Sequence, residues 1–454
     1  MAWPQNSLNA WIIGGVDNPI DGRVYRCVDM LSMGFPETAK VSPQQKWAPN
    51  QDGYILQDQT WLPSTVAAAR AGNSKIKLFV LLNYGLPNML SQVFNGATDP
   101  KTMQVAAQSF AENLVSYLNH YDLDGFDIDW ESDTSDTTDQ RQFVILFNAI
   151  GAAFNSKGKK LYLAFSPAPT TALDPQNIGG VTYSPAQTIN QSFAIVTLQN
   201  YYADDDPNYP SEFTGLGISQ ALIAFGAKFE SNGECDPTPF QAASDAFSNF
   251  SAGITPSNPY LGITQWRLNS GNYQWEQAQQ MMLYRLMNPS SSFDDTDIVD
   301  VAGNPPITAI TVRSGEVLDA IQATNTGSFT MELGKNCGQK QKTVPLLYVL
   351  PHGGQGGQPS SLPFTTADPV ISISGYTGIW FLNACVLQIT ITTKSGISRT
   401  FPSKISPNAS QPVPFSIVAP SGKSIVAFSG TTLVVQTASG GTTTIIGSLS
   451  ASCA

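Results

Sequence analysis

Residues 124–131 read Asp-Gly-Phe-Asp-Ile-Asp-Trp-Glu. Four of these eight side chains are carboxylic acids, and the last three fall at every second position. A β-strand sends alternate residues to opposite faces. This spacing therefore puts Asp127, Asp129 and Glu131 on one face and Phe126, Ile128 and Trp130 on the other. Three neighbouring carboxyls repel one another when all are ionised, and shared protons with split pKa values are the usual relief. The chemistry open to such a row is proton transfer.

Such a strand needs a scaffold. Apolar runs that read as strands lie at 10–16, 28–35, 77–83, 125–130, 160–165, 195–201, 221–225 and 260–266. Stretches with apolar residues near the 3.6 period lie between them, at 102–119, 138–155 and 273–287 among others. Eight strands interleaved with helices over about 250 residues is the arithmetic of a (β/α)8 barrel. A doubly wound open sheet would want a glycine-rich nucleotide loop after an early strand, and no Gly-x-Gly-x-x-Gly occurs. In the barrel the octapeptide is strand four. Its acids come at the C-terminal end, where barrel enzymes place their chemistry. Gln199 and Tyr201 alternate at the end of strand six, and Trp266 closes strand eight. Two polar groups and an aromatic ring aimed at a carboxylate cluster describe a sugar site. Trp11, Trp47 and Trp61 read as core packing, and His120 as a C-terminal helix cap.

The chain has 454 residues, enough for two or three domains. No apolar stretch reaches the roughly 18 residues of a membrane helix, so no membrane insertion is expected. The start, Met-Ala-Trp-Pro-Gln-Asn, lacks the basic residues of a signal peptide. Two histidines leave no room for a His-based zinc site or a Ser-His-Asp triad. The five cysteines are far apart and odd in number, which makes free structural thiols the default, with Cys337–Cys385 the pairing left open. Residues 1–300 hold 15 Lys and Arg against 30 Asp and Glu, whereas residues 301–454 hold 8 against 4. Neither half has a basic cluster, so nucleic acid is not an expected partner.

The charge break near residue 300 coincides with a change in texture. Beyond residue 305, Thr, Ser, Val and Ile alternate between Gly- and Pro-marked turns, the pattern of an all-β domain. The expected division is a barrel at 1–295, a linker at 296–306 and a β domain at 307–454.

Asp124, Asp127, Asp129 and Glu131 together resemble the Asp-x-x-Asp-x-Asp-x-Glu signature of family 18 glycoside hydrolases, which include chitinases. Gly125 and Trp130 give the chitinase-like form. The resemblance covers about residues 8–290. It implies that Glu131 is the general acid and later the base. Asp129 would orient the substrate's acetamide, and Asp127 would share a proton with Asp129. Most glycosidases use a second carboxylate as nucleophile; this family uses the acetamide of the sugar itself. By the same resemblance Tyr201 contacts the acetamide carbonyl, Gln199 belongs to the substrate site, and Trp266 floors the −1 sugar; Asp124 is grouped with the substrate residues, although its place at the strand's entry reads as structural. Strand three departs from the family, ending Leu82-Asn83-Tyr84-Gly85 in place of Ser-x-Gly-Gly. Only about 35 residues separate strands seven and eight, too few for the small α+β insertion of deep-grooved chitinases, so an open cleft and endo cutting are expected.

The second domain resembles jacalin-related lectins, which fold as a β-prism. The segments are Ile307–Gln322 (ITAITVRSGEVLDAIQ), His352–Gly357 (HGGQGG), Gly375–Gly378 (GYTG) and Pro414–Lys423 (PFSIVAPSGK). That family holds sugar hydroxyls between a Gly-x-x-x-Asp loop and a Gly-Gly loop. The usual C-terminal Gly-x-x-x-Asp falls on Gly430–Val434, which has no Asp. A second, earlier site survives as Gly315 and Asp319 with Gly353 and Gly354.

The resemblances imply a retaining endo-chitinase with a glycan-targeting lectin module. Its partners would be chitin or N-acetylglucosamine oligosaccharides and a glycan surface, with no metal or organic cofactor. Such a substrate points outside the cell, although no export signal is visible. Two rivals remain: an endo-β-N-acetylglucosaminidase acting on N-glycans, and a catalytically inactive sugar-binding barrel.

Overall fold

The computed structural model describes residues 3–16, 18–82, 86–131, 136–156, 160–167, 173–199, 201, 209–233, 235–252, 259–332, 337, 340–437 and 440–454. The chain forms two compact units, residues 1–230 with 239–287, and residues 231–238 with 288–454.

The first unit is a closed barrel of eight parallel strands. In chain order they are β1 (Ser7–Ile13), β2 (Met30–Gly34), β3 (Lys77–Leu82), β4 (Gly125–Trp130), β5 (Tyr162–Pro167), β6 (Ile195–Thr197), β7 (Ile223–Lys228) and β8 (Gly262–Trp266), with β8 closing on β1. Helices α1 (Leu62–Gly72), α2 (Pro100–His120), α3 (Thr137–Ser156) and α4 (Tyr273–Met287) are among those that lie between strands. α2 starts where Asp99 accepts from Thr102 N and Pro100 supplies the first helical residue. His120 ends α2, and its ring stacks on Trp47 at 4.6 Å.

The alternation of β4 works on both faces. Outward, Trp130 packs on Phe143 of α3 at 4.8 Å, and Phe143 stacks on Phe165 of β5 at 5.2 Å. Inward, a polar layer lies above an apolar cluster of Met30, Phe79, Ala164 and Ile195. Ser7 Oγ donates to Asn9 Oδ1 at 2.9 Å, Asn9 Nδ2 donates to Thr264 Oγ1 at 3.2 Å, and Ser32 Oγ donates to Asp127 Oδ2 at 2.7 Å. Buried polar groups of this kind are stable only when bonded to each other.

In the second unit, β9 (Ser292–Asp294) pairs with β18 (Ile425–Gln436), which pairs with β19 (Thr442–Cys453). A second sheet has the order β12 (Gln341–Gly353), β11 (Leu318–Glu332), β10 (Ile307–Ser314), β13 (Gln358–Pro363). A third has β16 (Ser398–Phe401), β15 (Asn383–Thr393), β14 (Val370–Trp380), β17 (Ala409–Val418). All three sheets contribute to one core that includes Ile310, Ile321, Ile373, Ile389, Phe428 and Ile446. Three sheets around one apolar core make the β-prism expected from the sequence.

Several expectations are corrected here. The segment 296–306 is no linker: it holds helix α5 (Thr296–Val301), and β9 before it already belongs to the second unit. Asp295, which the expected division placed at the end of the barrel, is buried in the second unit against His352 Nε2 at 2.9 Å. The hairpin of Ser231–Gly233 and Asp236–Pro239 was not foreseen. Cys235 within it forms a disulfide with Cys337, so the free-thiol default fails for these two, and Cys385 is not the partner of Cys337. Cys385 is free and buried, and burial pushes its thiol up to about 11.

Candidate active site and glycan site

The three acids of β4 form a row from the barrel interior to its mouth. Asp127 and Asp129 are buried, whereas Glu131, just past the end of the strand, is exposed. Burial lifts the Asp127 carboxyl to about 7, against smaller downward pulls from Ser32, Trp11 and the Ile128 N–H. Its Oδ1 and the Trp11 Nε1 are both buried without a hydrogen-bond partner. The indole is therefore near enough to bias the carboxyl electrostatically, but outside bonding geometry. Burial first, then the charges of Glu131 and Asp127, push Asp129 well above the usual carboxylate range. Gln199 opposes this, donating from Nε2 to Asp129 Oδ1 at 2.9 Å. Two adjacent raised carboxyls beside an exposed third can keep a proton near neutrality and pass it along the row.

Gln199 and Tyr201 follow β6, which ends at Thr197, so both are placed by the turn after the strand. Tyr201 is buried, and its ring lies over Gly226 of β7. A β-carbon at Gly226 would sit 2.7 Å from that ring, so the glycine makes room for it. Asn200 and Tyr202, like Asn83, Tyr84 and Gly85 of strand three, lie outside the described residues. Trp266 is partly exposed and meets Trp11 edge-on at 4.9 Å.

Asp124 is not brought to this row. It precedes β4 and accepts from Arg70 Nη2 of α1 at 2.6 Å and from Leu78 N at 3.0 Å, with Lys77 Nζ at 3.6 Å. Its carboxylate locks α1 and β3 to β4 at the N-terminal end of the strand. Asp124→Ala is accordingly expected to lower stability by about 3 kcal/mol, as when one partner of a buried ion pair is removed, and to leave kcat unchanged. Urea unfolding and chito-oligomer turnover check this; lost turnover at full stability would return Asp124 to the site.

Four residues escaped the sequence reading. Ser32 holds Asp127, and Trp11 faces it from β1. Glu230 accepts from Trp266 Nε1 at 3.1 Å while Lys228 Nζ stands 3.3 Å away. Glu276 of α4 is buried and raised by burial to about 8, with Ser270 N donating to it at 2.9 Å. Only Trp11 left a signal: Ser7, Asn9 and Trp11 alternate, but the polar Ser7 and Asn9 read as loop.

In the second unit the predicted sugar loops do meet. Asp319 Oδ2 accepts from Gly315 N at 2.8 Å, and Gly354 N donates to the Asp319 carbonyl at 3.1 Å. The glycines nearest the carboxylate are Gly356 and Gly357, where an added β-carbon would lie 2.5 and 2.6 Å from its oxygens. Burial raises the Asp319 carboxyl, while the Gly315 N–H and Arg313 pull it down. The segment Gly430–Val434 lies inside β18, which runs on to Gln436, so its comparison with a sugar loop is corrected.

Comparison with known proteins agrees with both architectures. The family Glycosyl hydrolases family 18 matches residues 87–236, a span that includes the acidic row, and the Jacalin-like lectin domain matches residues 290–434. A chitinase from Rhizomucor miehei is 15% identical over 61% of this chain and 99% of its own, with a TM-score of 0.41. A chitinase-like agglutinin from Robinia pseudoacacia is 13% identical over 62% and 99%, with a TM-score of 0.39. Malaysian banana lectin is 21% identical over 36% and 93%, with a TM-score of 0.22. No curated protein sequence matches the chain. Residues 87–236 thus belong to a domain of glycosyl hydrolase family 18, and residues 290–434 to a jacalin-like lectin domain that follows it.

Proposed function

We propose that the chain is a retaining, endo-acting chitinase, cutting β-1,4-linked N-acetylglucosamine polymers with the substrate's own acetamide as nucleophile. The carrying observation is the graded row: Asp129 buried, raised, held by Gln199 and flanked by Asp127 and Glu131.

Glu131 gives its proton to the glycosidic oxygen as the bond to the anomeric carbon breaks. The acetamide carbonyl oxygen attacks that carbon and forms a cyclic oxazolinium. Asp129 orients the acetamide N–H and balances its positive charge, and Asp127 takes up the proton that Asp129 sheds. Tyr201 donates to the acetamide oxygen, and Trp266 carries the sugar on its ring face. Glu131 then draws a proton from water, which opens the ring and retains configuration. In the second unit, Asp319 and the facing glycine loop bind hydroxyls of a glycan, raising the local concentration of substrate.

A panel of chitotetraose, polymeric chitin and a high-mannose glycoprotein tests the reading, with the product anomer followed by NMR. The expected result is β-anomeric chito-oligomers and an intact glycoprotein. Glycan release without chito-oligomer cleavage would make it an endo-β-N-acetylglucosaminidase. Binding without any cleavage would make it an inactive sugar-binding barrel.

A further inference from the structure

β14 and β15 are joined by a two-residue turn, Phe381–Leu382, closed by the pair Trp380 and Asn383. Both turn residues have positive φ, 43° and 67°. Two-residue turns of this hand suit Asn-Gly or Asp-Gly, because a bulky L side chain crowds the backbone there. Here the side chains are large and apolar, and they are 45% and 97% exposed. The Phe381 ring meets the buried Trp380 edge-on at 4.8 Å, but the rest of that ring and almost all of Leu382 face solvent, and strain of this kind collects at binding sites.

The tip adjoins the Gly315–Asp319 loop. Glu316 of that loop accepts three hydrogen bonds on Oε2, from Trp380 Nε1 at 3.0 Å, Ser406 Oγ at 2.8 Å and Asn408 Nδ2 at 2.9 Å. Asn408, then Trp380 and Ser406, hold its carboxyl below the usual range, so it is ionised. Glu316 is exposed, and among the described residues nothing donates to its Oε1. An ionised carboxylate accepts from sugar hydroxyls, and an aromatic ring beside it packs on the C–H face of a pyranose. Two side chains at a hairpin tip are far too small an area for a stable protein interface.

We propose that Glu316, Asn408 and the Phe381–Leu382 tip form a second saccharide subsite continuous with the Gly315–Asp319 loop. The module then reads at least two linked sugars of one glycan. This rests on the lectin reading of the second unit.

The test titrates the full-length chain with methyl α-mannoside and with a linear mannotriose, ligands that lack the acetamide the barrel is proposed to need. The double variant Phe381→Asn, Leu382→Gly removes the apolar tip and installs a favoured turn, so the fold is kept; a thermal melt checks this. It is expected to weaken mannotriose binding roughly tenfold and to leave methyl mannoside binding unchanged. Asp319→Ala weakens both. Unchanged mannotriose affinity in the double variant, or equal affinity of the unaltered chain for the two ligands, overturns the subsite and leaves the Asp319 site standing. Loss of phosphatidylcholine-vesicle binding alone would overturn it in favour of a membrane contact. No binding of either sugar by the unaltered chain overturns the lectin reading, and the subsite with it.

Discussion

Glu131→Gln is expected to lower turnover of chitotetraose by about 10³-fold, the middle to upper part of the range for a lost general acid. The amide matches the carboxyl in size but has no proton to give, so the leaving oxygen departs unassisted. Glu131 is exposed just past the end of β4, and none of the core depends on it. The melting temperature is therefore expected to stay the same. The amide also cannot take the ionised form of Glu131 that is the second-largest cause of the raised Asp129 pKa. Asp129 then ionises more readily and can still hold an acetamide N–H. Oligosaccharide binding should consequently persist, within a few-fold of the unaltered chain by calorimetry. Full activity in this variant would sink the acid role. Loss of binding together with turnover would mean that Glu131 shapes the cleft instead.

The acidic row was legible because period-2 alternation states two facts at once: which side chains face the barrel interior and which meet α3. β4 and α4 accordingly begin and end where the sequence places them. β1 was read three residues late, because its inward side chains are the polar Ser7 and Asn9, bonded only to each other and to Thr264. Trp11 lay inside the expected strand and reads as core packing, which its burial matches; nothing in the sequence marks its nearness to Asp127. Gln199 and Tyr201 were found, but β6 stops before them, and no pattern marks where a buried strand hands over to its loop. Glu230 was invisible for a similar reason: its partner Trp266 is 36 residues away and on another strand. The disulfide joins cysteines 102 residues apart, a pairing that spacing alone does not specify. The Phe381–Leu382 turn carries no Gly, Asn or Asp, so nothing in its composition announces a hairpin.

The barrel unit is expected to be more stable at pH 5 than at pH 8.5. A carboxyl whose folded pKa lies above its unfolded value binds more protons in the native state between those two values. Stability from that group is therefore full below the unfolded pKa and is lost as pH rises through the folded one. Asp127 goes from 3.8 to about 7, and Glu276 from 4.5 to about 8, both by burial. Shifts of this size correspond to at most about 4–5 kcal/mol each. Asp129 works in the same sense, pushed well above the usual carboxylate range by burial first, then by Glu131 and Asp127, so the interval from pH 5 to 8 belongs to these buried carboxyls. Calorimetry should show the barrel's melting temperature falling across that interval. Asp127→Asn and Glu276→Gln should each flatten the fall, since a neutral amide has no proton to lose. Only Asp127→Asn should also cut kcat, because only Asp127 exchanges a proton with Asp129. A melting temperature that rises from pH 5 to 8 would mean that both carboxyls are ionised in the fold, and the row would then have no stored proton to pass.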